Sequence, residues 1–68
     1  MAPSHDAYAY MSRRKDIDNL LSELQEALKI KDDVFREKED WEHVVDLNNI
    51  REHLTNALKY TKASLDKW

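Results

Sequence analysis

Cysteine and glycine are absent from this 68-residue chain, and proline occurs once, at Pro3. The lack of cysteine excludes disulfides and thiolate zinc sites, and it accords with a reducing compartment. Glycine and proline are the strongest breaks in local structure, so a stretch from Ser4 to Trp68 without either reads as helix almost throughout. The same absences remove a glycine-rich phosphate loop and a cysteine nucleophile. No Ser–His–Asp set has plausible geometry, so no enzyme is expected. Long apolar runs are missing too. None approaches the roughly 20 residues needed to span a bilayer. The opening Met-Ala-Pro-Ser-His-Asp has neither a basic region nor an apolar core, so no signal peptide is expected. The expectation is a cytoplasmic, intracellular protein with no membrane contact and no cofactor.

A chain this short makes one domain at most. A lone core in this size range supplies roughly 3–5 kcal/mol, and small domains compensate with disulfides, metals or association. With disulfides excluded, self-association or a protein partner is the expected source of stability. The formal net charge is −3 and 37% of residues are charged, which argues against a dedicated nucleic-acid binder. The charges are segregated. Asp32, Asp33, Glu37, Glu39, Asp40, Glu42 and Asp46 crowd the middle, while Arg13, Arg14 and Lys15 lie near one end and Lys59, Lys62 and Lys67 near the other.

What is present is helical periodicity, twice. Ile17, Leu20, Leu21, Leu24, Ala27, Leu28, Val34 and Phe35 recur at steps of three and four and form one stripe. Lys31 falls within that stripe, where its stem can lie on apolar neighbours with the ammonium in water. Farther on, Val44, Leu47, Leu54, Leu58, Thr61, Leu65 and Trp68 keep a strict three-four alternation, with Arg51 as its one charged member and Ile50 beside it. That alternation marks a coiled-coil-like seam.

The two stripes are out of phase. Extending the first predicts apolar positions at 38, 41, 45 and 48, but the second falls at 44 and 47, one residue or about 100° away. A turn between Arg36 and His43 resolves the conflict, with Asp40 as N-cap and Glu42 in the next first turn. The predicted organisation is a mobile tail over 1–11 and a helical hairpin over 12–68. Its helices run from about 13 to 38 and from about 42 to 67, with the turn at about 38–42. Ser12, ahead of Asp16 and Asp18, is the favoured cap of the first helix. Ser4 competes, because Tyr10 is in phase with the stripe. A second candidate break at Asn49, with Glu52 three residues on, resembles a capping box and would give three helices.

The predicted fold class is all-α, an antiparallel helical hairpin that pairs with a second copy into a four-helix bundle. The homodimer core would comprise Ile17, Leu20, Leu21, Leu24, Leu28, Val34, Phe35, Val44, Leu47, Ile50, Leu54, Leu58, Leu65 and Trp68. An antiparallel hairpin gathers acid at its turn and base at its open end. Head-to-tail pairing then sets unlike charges side by side, whereas turn-to-turn pairing brings like charges together.

Function is expected on apolar residues that the stripes leave over. Ile30, Trp41 and Val45 are off-stripe and near the turn, beside Glu37 and Asp40. A tryptophan among carboxylates suits a protein-partner surface, against the simpler role of capping the hairpin core. The leading expectation is therefore a small dimeric protein–protein interaction module, such as a regulator, inhibitor, adaptor or assembly subunit. The alternative is RNA or DNA binding by the basic open end through Arg13, Arg14, Lys15, Lys59, Tyr60 and Lys62, where cations interleave with aromatics. Asp40 and His43 are spaced i, i+3, but at the presumed turn and not inside a core, so no metal site is expected.

Overall fold

The computed structural model describes residues 4–68, and these form two α-helices and no strand: α1, His5–Glu37, and α2, Trp41–Leu65. The chain divides into two units at Arg36–Glu37. α1 has 33 residues and runs about 50 Å, and α2 has 25 and runs about 38 Å.

α1 begins at its fifth residue, not near residue 13, so residues 5–11 are helical where a tail was expected. Ser4 is the cap that acts. Its Oγ accepts from the Ala7 backbone N–H at 3.1 Å, and its carbonyl accepts from the Tyr8 N–H at 3.1 Å. Asp6 adds a negative charge to the first turn, where the helix dipole favours it. Nothing between Ser4 and Ser12 breaks the helix, so the upstream serine takes the cap and Ser12 becomes an interior residue. The remainder of the expected tail, residues 1–3, lies outside the described residues.

Only residues 38–40 separate the helices. Asp40 has extended backbone angles, φ −91° and ψ 140°, and its side chain accepts from the Glu42 N–H at 3.1 Å. Its carbonyl takes the His43 N–H at 3.1 Å, and its own N–H donates to the Lys38 carbonyl at 2.8 Å. One aspartate thus caps α2 and closes the connector, in the geometry an N-cap requires. α2 then runs unbroken through Asn49, which rules out a third helix there.

At the far end, the N–H groups of Asp66, Lys67 and Trp68 reach back to the carbonyls of Ala63, Ser64 and Leu65. These three-residue steps tighten the last turn and occupy carbonyls that the helix leaves open. Trp68 stands beyond α2 and is fully exposed. The seam as a helical row therefore ends at Leu65, and the phase that assigned Trp68 to a core does not extend to it.

Neither helix buries a single residue. In α1 the stripe positions Leu24, Leu28 and Lys31 are partly buried; in α2 His43, Val44 and Ile50 are. The other large stripe residues are exposed, among them Ile17, Leu20, Leu21, Val34, Leu47, Leu54, Leu58 and Leu65, and Phe35 is just so at 36%.

Candidate protein-interaction site

The first turns of α2 bring together three of the residues expected to meet a partner. Trp41 is the first helical residue and is 71% exposed. Val45 follows at i+4, so the two are neighbours on one face, and Val45 is also exposed. Asp40 stands next to them, but its carboxylate already accepts the Glu42 N–H. Its role is to set where α2 starts and hence which way Trp41 faces. Ile30 and Glu37 are exposed on α1, Ile30 well away from the centre of that helix's stripe.

The face that starts with Trp41 and Val45 continues down α2 as a polar depression lined by Asn48, Arg51, Glu52, Thr55, Asn56 and Lys59. These residues lie at steps of three and four, so they share one side of the helix. Thr55 Oγ1 donates to the Arg51 carbonyl at 2.8 Å, which ties its hydroxyl to the helix. This polar stretch was not foreseen. Apart from Arg51, placed in the seam, and Lys59, placed in the basic open end, its members look in sequence like ordinary solvated residues, and the signal that could have found it is their spacing in phase with Trp41 and Val45.

The basic candidates are all exposed. Arg14 is engaged, its guanidinium paired with Asp18 one turn on. With α1 starting at His5, Tyr10 falls in line with Arg13, Arg14 and Ile17, while Tyr8 shares a different face with Met11 and Lys15. On α2, Lys59 and Lys62 lie one turn apart, and Tyr60 points away from Lys59 by about 100°. The aromatic–basic interleaving seen in sequence therefore survives along the rows of α1, where Tyr10 lines up with Arg13 and Arg14, and is lost in α2, where Tyr60 leaves the side of Lys59.

Among the described residues no group of three or more His, Asp or Glu is placed to hold a metal ion. None of their helices is long and apolar enough to cross a membrane. The chain matches no family model, no curated protein and no solved structure.

Proposed function

We propose that this chain is a small non-enzymatic protein–protein interaction module that works as a homodimer, two antiparallel hairpins paired head-to-tail in a four-helix bundle. The observation that carries it is an apolar stripe along each helix with no buried residue under it. Exposed contiguous apolar surface of this extent marks an interface. At about 25 cal/mol per Å², burying one exposed leucine corresponds to roughly 60–120 Å². The seams of two chains then offer on the order of 2,500 Å², within the range of obligate dimers. The segregated charge sets orientation, and each exposed pair adds below about 1 kcal/mol. The proposed place of action is the cytoplasm.

In this reading the seams hold the dimer, and Trp41 with Val45 meets a further protein. Sedimentation equilibrium from nanomolar to high micromolar chain concentration tests the first part: one species of twice the chain mass supports it, and a monomer throughout rejects it. Trp41→Ala tests the second. Helicity and dimer mass should persist while partner binding is lost; unfolding would instead assign Trp41 to the core.

Nucleic-acid binding by Arg13, Arg14, Lys15, Lys59, Tyr60 and Lys62 is the weaker reading. The extension of α1 to His5 favours it, because that puts Tyr10 in a row with Arg13 and Arg14. It requires a mobility shift with RNA or DNA that collapses as salt rises.

A further inference from the structure

α2 carries a second row of side chains beside its apolar seam. Trp41, Val45, Asn48, Glu52, Thr55 and Lys59 follow one another at steps of four, three, four, three and four, and all are exposed. This alternation is the spacing at which one helix packs along another. From Val45 onward each member stands one residue after a seam position, so the row lies about 100° round the helix. A neighbour on the seam therefore leaves the row open to a second one. The row also changes character along its roughly 27 Å. It opens on two apolar side chains and then turns polar. Glu52 has Asn48, Asn49, Thr55 and Asn56 one turn away, none of them a cation, and Lys59 has no acid at the same spacing. Seven residues, about 10 Å, separate the two charges. Neither is in an ion pair among the described residues. The Thr55 hydroxyl already donates to the Arg51 carbonyl at 2.8 Å, so it asks for no acceptor from outside.

We infer that this row seats one helix of the partner protein, running antiparallel to α2, and that Glu52 and Lys59 fix its direction. This rests on the reading above in which Trp41 and Val45 meet a further protein, and it names what that protein presents. The row repeats about every 5.3 Å, in step with another helix. An extended strand shows one face a side chain about every 6.6 Å and falls out of step within a few residues. Charge complementarity asks for a base over Glu52 and an acid over Lys59, with apolar side chains over Val45 and Trp41. Read from its own N-terminus, an antiparallel partner carries the acid first, the base seven residues on, and the apolar side chains fourteen and eighteen residues on. Acid before base is the order a helix dipole favours, and a parallel partner would have to reverse it. A nucleic acid fits the row poorly, because Glu52 offsets Lys59 and the acids Asp40 and Glu42 flank Trp41, where phosphates would be repelled.

The test titrates the natural chain by calorimetry with two synthetic helical peptides. One has glutamate, lysine, leucine and leucine in that spacing on an alanine-rich background; in the other the glutamate and lysine are exchanged. The first should bind about tenfold more tightly, because exchange turns two attractive pairs into two repulsive ones. The double variant Glu52→Lys, Lys59→Glu should invert that preference, with helicity checked by circular dichroism. Trp41→Ala should weaken both peptides and keep their order. A natural chain that binds neither peptide, or both equally, overturns the inference without recourse to any variant. So does a preference that the charge reversal leaves unmoved, since the peptide would then sit elsewhere. Binding undiminished by Trp41→Ala would instead remove Trp41 from the partner surface, which is the failure of the underlying reading. Binding that depends on Trp41 but ignores the charges would overturn the inference alone.

Discussion

α1 supports its exposed side with ion pairs, whereas α2 ties its hydroxyls back to its own carbonyls. In α1, Arg14 pairs with Asp18, Lys29 with Glu26 at 3.5 Å, and Arg36 with Asp33 at 2.9 Å, all on exposed side chains. In α2, Thr55 donates to the Arg51 carbonyl and Thr61 to the Ala57 carbonyl, each at 2.8 Å, and Ser64 to the Thr61 carbonyl at 2.9 Å. The difference separates two kinds of local support. Side-chain ion pairs spaced along a helix stabilise it by a few tenths of a kcal/mol each and weaken with salt. Hydroxyl bonds to the helix's own backbone add little stability, but they let a threonine stand in an apolar row with its hydroxyl already satisfied. Neither kind supplies what a core would. Both helices carry their apolar stripes unburied, so both should depend on association more than on their own local chemistry.

The largest effects should follow from the stripes. Leu24→Ala in α1 and Leu54→Ala in α2 should each destabilise the assembly by about 2–5 kcal/mol, read as a lower melting temperature and a shift of the dimer–monomer equilibrium to higher concentration. If the two helices contribute alike, the two losses will be similar. A loss confined to Leu24, which is the more buried of the two, would show that α1 holds the interface and α2 merely accompanies it.

The two caps should differ by less. Asp40→Ala removes the acceptor that starts α2 at the connector, and about 1 kcal/mol should be lost. Ser4→Ala removes the corresponding acceptor at the start of α1, where the helix can fray to Ser12 and recap. Its cost should be clearly smaller, and amide exchange should show fraying of residues 5–11 only. Equal costs would mean that the first turns of α1 are held by more than their cap.

These two caps also show how far the sequence could be read. The stripes were legible because helical spacing repeats over many residues. The break was legible because the phase slip of one residue has to be absorbed somewhere, and Asp40 followed by Glu42 supplies a cap at that place. The start of α1 was not legible. Ser4 and Ser12 are the same residue type, and the acids after Ser12 pointed to the wrong one, although Tyr10 already fell in line with the stripe. The candidate site was half legible. Trp41 and Val45 stood out by being off-stripe, but the polar row that continues their face does not differ in composition from any solvated helix side.

Thr61→Val sharpens the comparison further. Threonine and valine have nearly equal helix propensity, and the Thr61 hydroxyl bonds only its own helix. The change therefore isolates the environment of the side chain. A buried seam should gain stability, by below about 1 kcal/mol for an added methyl group, visible as a rise in melting temperature that grows with chain concentration. No rise would place Thr61 outside the interface and confine the working seam of α2 to its earlier turns.

The smallest effect belongs to the surface pairs of α1. Arg14→Gln breaks the pair with Asp18, and about 0.3–0.5 kcal/mol should be lost at low ionic strength. That loss should vanish near 1 M salt, where the screening length falls to about 3 Å, while the Leu24→Ala deficit should persist. The arginine precedes its acid here, the less favourable order along a helix, whereas Glu26 and Asp33 precede Lys29 and Arg36. Glu26→Gln should therefore cost at least as much as Arg14→Gln if the order of charge governs these pairs. If Arg14→Gln costs clearly more and its effect survives in salt, Arg14 is held at the association interface, and α1 would reach that interface through its basic end as well as its leucines.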